Sequence, residues 1–204
     1  GHTHTTIAGR QVAITEEIVA SPPWCALRHF RRATAPAGQP KVLMVAPMSG
    51  HYATLLRGTV QAFLPDHEVY ITDWKDAREM PALGVDFTLD DYVDYVIAFL
   101  RQLGPDTHVV AVCQPAVPVL AAIALMNEEE PDAAPRTMTL IGGPIDTREG
   151  PTAVNDFAKQ HSLEWFRSNV IHYVPFGHAG FMRQVYPGFL QLAGFMAMNI
   201  DRHM

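Results

Sequence analysis

Apolar and polar positions along the chain follow a pattern that predicts strands alternating with helices. Short apolar runs, most of them β-branched, predict strands, and longer stretches with helical spacing lie between them. The predicted strands are 41–46, 68–72, 109–112 and 137–141, and the predicted helices are 53–64, 89–103, the stretch from 116 onward, and one or two within 151–170. Because strand and helix alternate, we expect an α/β fold with a mostly parallel sheet and helices on both faces.

The clearest helix boundary in the sequence is the string Thr88-Leu89-Asp90-Asp91. Thr88 is suited to the N-cap position, and acidic residues in a first turn are favoured by the helix dipole. Gly104 follows the last apolar position and would end the helix. The sequence therefore predicts a helix from Leu89 to about Leu103.

The first forty residues differ in character from the rest of the chain. Residues 1–6 are small and polar and predict a frayed terminus. Positions 10–19 alternate weakly, which predicts a strand or hairpin arm, and 33–40 has the composition of a linker. We therefore expect residues 1–40 to form an N-terminal extension and residues 41–204 to form the core.

Two other segments are marked by composition. Arg28, Arg31 and Arg32 lie close together and are expected on a solvated face. Residues 174–204 are rich in Pro, Gly, Phe, Met and Tyr and carry few charges. Side chains of this kind suit a lid or an adaptable apolar surface, and they suit an ordinary core equally well. Residues 174–204 are thus a candidate for the start of a lid.

Size and charge limit the classes of protein to which the chain can belong. With 204 residues, 48% of them hydrophobic, the chain can bury one sizeable core. A net charge of −6 argues against nucleic acid or an anionic membrane as the main partner. No apolar run approaches the ~18 residues of a transmembrane helix, and the two cysteines form no disulfide framework. We expect a soluble, cytoplasmic protein without a transmembrane segment.

The stretch 107–125 carries the strongest candidate for chemistry. Cys113 lies where a predicted strand meets a predicted helix, with small Ala111 two residues before it and Pro115 two residues after it. A nucleophile elbow has this layout, because the strand and helix backbones pass close together there. Cys113 is therefore a candidate nucleophile. The alternative is a buried structural cysteine, which the strand-to-helix context disfavours.

A second candidate segment follows the strand 41–46. Gly50 would let the backbone approach a substrate closely, and an amide from Ser49 or Gly50, together with the amide of Gln114, would form an oxyanion hole. His51 and Tyr52 could line the substrate site. The alternative is a plain strand-to-helix turn with Ser49 as the helix cap.

The other members of a catalytic triad are less clearly marked. Asp146 follows a predicted strand beyond the candidate nucleophile, which makes it a weak candidate for the acid. Four histidines follow Cys113 in the chain, at positions 161, 172, 178 and 203, and the sequence assigns none of them as the base. No spacing of ligand residues indicates a metal site, and the proposed chemistry needs no cofactor.

Several strings together resemble the bacterial intracellular polyhydroxybutyrate depolymerases. They are the elbow around Cys113, Ser49-Gly50-His51-Tyr52, and the stretches 142–148 and 186–192. The resemblance implies an α/β-hydrolase fold and hydrolysis of stored poly(3-hydroxybutyrate), a polyhydroxyalkanoate, by a cysteine at the position of Cys113. It also implies that the chain is an N-terminal portion, incomplete at the C-terminal side of the sheet, with the triad Asp and His beyond it.

The resemblance further implies partners and leaves two alternative functions open. The expected partner is the polymer or the surface of a storage granule in the cytoplasm, and a homo-oligomer stays open. One alternative is a polyhydroxyalkanoate synthase-like acyl transferase, which uses related cysteine chemistry. The other is a catalytically inert granule-binding fragment, because a thiol without its base would not turn over.

Overall fold

The structure is a computed structural model that describes residues 1–48, 53–84, 86–150 and 152–198, with side chains described up to residue 194. The chain divides into two compact units. The described part of the first unit comprises 1–48, 53–74 and 87–144. The second unit contains the segment that starts at Lys75 and all described residues from Ile145 onward.

A sheet of seven strands organises the first unit, in the order β1-β2-β3-β5-β4-β6-β7. Strands β4 to β7 pair in parallel, whereas β1, β2 and β3 join the sheet by antiparallel pairing. The strands are β1 His4–Ile7, β2 Arg10–Ala20, β3 Cys25–Arg32, β4 Lys41–Val45, β5 Glu68–Trp74, β6 Thr107–Val112 and β7 Thr137–Ile141. All four strands predicted from apolar runs are present.

Helices cover both faces of this sheet. They are α1 Arg57–Phe63, α2 Leu89–Leu103 and α3 Ala116–Glu129, with short 3-10 turns at Ala53–Leu56 and Pro131–Ala133. Leu43 and Val45 of β4 pack into one apolar cluster with α2 and α3. Val42 and Met44 point the other way, into a cluster with Val60 of α1. Because successive residues of a central strand point to opposite faces of the sheet and are buried on both, such a strand is apolar throughout. The predicted α/β class is confirmed.

The predicted start of α2 is confirmed in detail. The Thr88 hydroxyl accepts a hydrogen bond from the Asp91 N–H, while the Asp91 carboxylate accepts one from the Thr88 N–H. This reciprocal pair satisfies two amides that would otherwise lack partners at the helix start. Gly104, at φ +88°, ends the helix as expected.

The predicted strand or hairpin arm at 10–19 is confirmed as β2, but the residues around it depart from the sequence prediction. His4–Ile7, within and just after the segment expected to fray, pair with β2 as an antiparallel hairpin. Residues 1–40, expected as an extension, supply β1, β2 and β3 to the same sheet as the core strands. β2 pairs with its sequence neighbours β1 and β3, but its side chains alternate between buried and exposed only in part, so the apolar pattern understated this pairing.

The expectation of a fully solvated arginine cluster was wrong for Arg32. Its side chain is 0% exposed. The guanidinium donates to the carbonyl of Leu64 at 2.9 Å and to the carboxylate of Glu68 at 2.6 Å. A buried charge needs such partners. Leu64 lies in the turn before β5 and Glu68 is the first residue of β5, so the local sequence of β3 does not reveal either partner.

The second unit has little regular structure and a largely exposed apolar composition. Its elements are α4 Ala153–Gln160, α5 Leu163–Asn169, β8 His172–Tyr173, β9 Gln184–Val185 and α6 Gly188–Met198, with a 3-10 turn at Ala77–Glu79. Thr152 and Ser162 cap α4 and α5. No helix in the described part of either unit is long and apolar enough to cross a membrane.

Candidate active site

The joint between β6 and α3 holds its first residue in an unusual backbone conformation. Strand β6 ends at Val112, α3 begins at Ala116, and Cys113 between them has φ +67°. A residue with a side chain rarely adopts positive φ, which costs about 1–2 kcal/mol. Such strain persists only where the surrounding structure enforces it, and it is typical of a nucleophile elbow.

Backbone hydrogen bonds on both sides hold Cys113 in this conformation. Its N–H donates to the carbonyl of Ile141 at 2.7 Å, which extends the β6–β7 pairing by one residue. Its own carbonyl accepts from the N–H of Ala116 at 3.1 Å. Cys113 is exposed, so the alternative of a buried structural cysteine is wrong at this position.

Small side chains make the sharp turn sterically feasible. Ala111 is 0% exposed within β6. Opposite the turn, a Cβ at Gly143 would lie 2.0 Å from the Cβ of Ala116 and 3.0 Å from the Cys113 carbonyl oxygen. The start of α3 therefore packs directly on the backbone that follows β7. The sequence interpretation considered only positions 111 and 115 and missed Gly143, although a glycine pair directly after a predicted strand is a readable signal.

The first turn of α3 tolerates both of its prolines. Pro115 precedes the helix with helical angles, and Pro118 lies in the first turn, where an N–H would have no partner within the helix. The predicted helix start is therefore confirmed. Amide groups at a helix N-terminus favour negative charge, and Gln114 follows Cys113 directly at this end of α3.

The loop after β4 is only partly described. Ser49, Gly50, His51 and Tyr52, predicted as oxyanion-hole and substrate-lining residues, lie outside the described residues. Immediately before them, the N–H of Met48 donates to the side-chain oxygen of Gln114 at 3.2 Å. The side chain of Gln114 thus ties this loop to the elbow. The sequence interpretation considered only the backbone amide of Gln114.

Asp146 belongs to the second unit and is held by a neighbour. Its carboxylate accepts two hydrogen bonds from the Arg148 guanidinium, at 2.9 and 2.7 Å. These bonds hold the pKa of Asp146 below its usual range. The carboxylate is therefore ionised and already paired, and its role as the triad acid stays a prediction.

Two of the described histidines of the second unit, His161 and His178, have local partners. The His161 ring nitrogen lies 2.9 Å from the carbonyl of Phe157, and the ring packs against Trp165. His178 approaches the carboxylate of Glu79 at 3.3 Å. Within 1–48, 53–84, 86–150 and 152–198, no group of three His, Cys, Asp or Glu side chains is placed to hold a metal ion.

Comparison with known proteins gives one family match. Residues 142–204 match the family model described as PHB de-polymerase C-terminus. No curated protein matches the chain in sequence. The matched segment begins at Gly142, directly after β7.

Solved structures resemble the chain in fold. One is a mutant of an alpha/beta hydrolase enzyme from the metagenome of Lake Arreo, Spain, with a TM-score of 0.51 and 15% identity over 79% of this chain and 54% of that chain. Another is a putative hydrolase from Bacillus subtilis, with a TM-score of 0.50 and 14% identity over 80% of this chain and 59% of that chain. The chain thus spans little more than half the length of these structures. They confirm the predicted α/β-hydrolase fold.

Proposed function

We propose that this chain, a member of the polyhydroxybutyrate depolymerase family by its match over residues 142–204, supplies the nucleophile for hydrolysis of poly(3-hydroxybutyrate) ester bonds. The nucleophile is the thiol of Cys113. The observation that carries the proposal is the strained, exposed position of this residue at φ +67° between β6 and α3. A cysteine with a packing role alone gains nothing from that conformation.

The first chemical step is attack by sulfur. The Cys113 thiolate adds to the ester carbonyl carbon, a C–S bond forms, and the carbonyl oxygen becomes an oxyanion. The amide of Gln114 and an amide from the Ser49–Gly50 stretch would stabilise that oxyanion, and losing one such donor typically costs about 3 kcal/mol. Collapse of the intermediate breaks the C–O bond, and the alcohol end of the polymer leaves with the proton that a general base took from the thiol.

The second step regenerates the enzyme. Water attacks the thioester, the C–S bond breaks, and a 3-hydroxybutyrate carboxylate leaves while the thiol recovers its proton. A general base must remove the thiol proton and then activate the water. None of the described histidines is assigned to this role, and the chemistry proposed for Cys113 does not depend on which residue performs it.

The substrate class also suits the surface of the second unit. Phe176 and Phe189 are 88% and 70% exposed. Exposed aromatic side chains of this kind are suited to contact with an apolar, water-insoluble polyester. This feature supports a polymer or granule surface as the partner over a small polar ester.

The test is to trap the acylated thiol. Incubation with the 4-nitrophenyl ester of 3-hydroxybutyrate should add one hydroxybutyryl group, and digestion followed by mass spectrometry should locate it on Cys113. The variant Cys113→Ala should acquire none. Reaction of Cys113 no faster than that of the unfolded chain would contradict the proposal.

A synthase-like activity is distinguished by a second acylation assay with a different acyl donor. With 3-hydroxybutyryl-CoA as the donor, a synthase would lengthen the bound acyl chain, whereas a depolymerase would release monomeric acid. Growth of the chain on Cys113 would therefore replace hydrolysis with acyl transfer as the function of this thiol.

A further inference from the structure

Residue Ala46, the first after β4, has both of its backbone polar groups bonded to side chains. Its N–H donates to the Thr72 hydroxyl oxygen at 2.9 Å. Its carbonyl accepts from the Trp74 indole N–H at 3.0 Å and from the Tyr92 hydroxyl at 3.4 Å. Strand pairing of β4 extends only to Met44 on one side and Val45 on the other, so these side chains continue where the ladder stops.

Burial makes these bonds necessary. Ala46 is 1% exposed, and Thr72, Trp74 and Tyr92 are 0%, 7% and 5% exposed. A buried peptide group left without a partner costs about 1–3 kcal/mol, so each of these side chains has a strong energetic reason to stay in place. Burial also raises the pKa of Tyr92, which keeps its hydroxyl protonated and able to donate.

The next two residues complete the arrangement. Pro47 has no N–H to satisfy and its φ is fixed by the ring. Met48 donates its N–H to the Gln114 side chain at 3.2 Å. The backbone N–H groups of Ala46 and Met48 are thus both bonded to side chains, and the acceptor for Met48 is Gln114, the residue that follows Cys113.

We propose that Thr72, Trp74 and Tyr92 are positioning residues that fix Ala46–Met48, and that Met48, through its bond to the Gln114 side chain, holds the Gln114 amide, the proposed oxyanion donor, in place next to Cys113. This inference rests on the proposed function, because it assigns these side chains to an oxyanion hole. It adds that the Met48 amide is not itself the donor, since its hydrogen is already given to Gln114.

Two reactions of the same sulfur separate oxyanion stabilisation from simple thiol reactivity. With 4-nitrophenyl acetate the thiolate attacks a carbonyl, forms the thioester and expels 4-nitrophenolate through an oxyanion. With iodoacetamide it displaces iodide and forms no oxyanion. Both rates scale with the thiolate fraction, so their ratio, compared with that of N-acetylcysteine, reports oxyanion stabilisation separately from thiolate formation and does not require a complete triad.

The variants are Gln114→Met, Tyr92→Phe, Trp74→Phe and the double change at 74 and 92. We expect Gln114→Met and the double variant to lower the acylation-to-alkylation ratio about tenfold, a part of the 100- to 1,000-fold effect of deleting a donor outright. Each single change at 74 or 92 leaves one donor on the Ala46 carbonyl and should lower the ratio less. Thr72→Val replaces the variants that change Trp74 should Trp74→Phe fail to fold.

Tyr95→Phe is the matched control on the same helix. The Tyr95 hydroxyl accepts from the backbone N–H of Trp24 at 3.3 Å, so the change removes a hydrogen bond that does not involve Ala46–Met48. The ratio should stay at the wild-type value in this variant. Subtracting the rate of Cys113→Ala corrects for any reaction at Cys25.

The outcomes distinguish the inference from the function on which it rests. If the wild-type ratio exceeds that of N-acetylcysteine but the variants keep it, the function stands and the positioning role is overturned. If both rates fall in parallel, these residues serve stability alone and the inference is again overturned. If the wild-type ratio only equals that of N-acetylcysteine, there is no oxyanion hole to position, and both proposals fail together.

Discussion

The two cysteines of the chain lie in regions of the first unit with opposite properties. Cys25 begins β3, is 0% exposed, and pairs across the sheet with Trp74. Cys113 lies on a turn at φ +67° with its thiol exposed. Residue type is the same, so the difference comes from the backbone: regular pairing encloses one sulfur, and a strained turn presents the other.

The largest expected difference between the two regions is in thiol reactivity. Cys113 should react with iodoacetamide in the native protein, whereas Cys25 should react only when the sheet opens. Since such opening typically costs at least about 5 kcal/mol, we expect Cys25 to react at least about 1,000-fold more slowly. Peptide mapping after timed alkylation measures both rates. Comparable rates would show that the burial difference does not hold in solution.

The second test removes the space that the elbow turn needs. In Gly143→Ala the added Cβ would lie 2.0 Å from the Cβ of Ala116, so α3 or β7 must shift. Overpacking of this kind costs about 1–3 kcal/mol, measurable by urea unfolding, and should slow alkylation of Cys113 as the turn deforms.

Gly58→Ala in α1 is the matched control. Apart from its chain neighbours and the backbone of its own helix, no heavy atom lies within 4 Å of a Cβ built at Gly58, and the position is helical. Alanine should therefore stabilise the protein by about 0.5–1 kcal/mol through helix propensity. A destabilised Gly58→Ala, or an unchanged Gly143→Ala, would contradict the packing seen at the elbow.

The elbow was predictable from sequence because its signals are local. A β-branched run, a cysteine, small neighbours and a proline in a first helical turn all fall within 107–125. The cap at Thr88 is local in the same way. The family resemblance added the chemistry that these local signals left open.

Features that depend on distant partners were not predictable. Arg32 is buried because Leu64 and Glu68 meet it across the sheet. Trp74 and Tyr92 reach the Ala46 carbonyl from β5 and α2, and their spacing in sequence gives no indication of that convergence. Pairing between distant segments is decided by the folded sheet, so reading one segment at a time misses it.

A third test compares the backbones of the two cysteine positions directly. Cys113→Gly relieves the positive φ and should stabilise the fold by about 1 kcal/mol relative to Cys113→Ala, which keeps the strain. At Cys25, in a regular strand, the order should reverse, with glycine less stable than alanine by about 0.5–1 kcal/mol. Thermal or urea unfolding of the four variants measures both differences. The same sign at both positions would remove the argument for strain at the elbow.

The smallest effect on stability is expected from the contacts that Glu68 makes with His29 and Arg32 of β3. Burial opposes ionisation of Glu68, but hydrogen bonds from His29 at 2.8 Å and Arg32 at 2.6 Å outweigh it and lower the pKa of the carboxylate. A lowered pKa in the folded state means that the unfolded chain binds the proton more readily. This contribution to stability is therefore complete above the usual glutamate pKa of about 4.3 and is lost as pH falls through the folded value.

Urea unfolding of the wild type and Glu68→Gln between pH 7 and pH 3 isolates that contribution. We expect the wild type to lose its advantage over the variant below about pH 4.3, by less than about 1 kcal/mol because Glu68 is partly solvated. Alkylation of Cys113 at pH 7 should be the same in both proteins, because Glu68 lies at the start of β5 and the elbow at the end of β6. An advantage that grows on acidification would mean that Glu68 is not held ionised by Arg32 and His29, and that burial of Arg32 depends on its carbonyl partners alone.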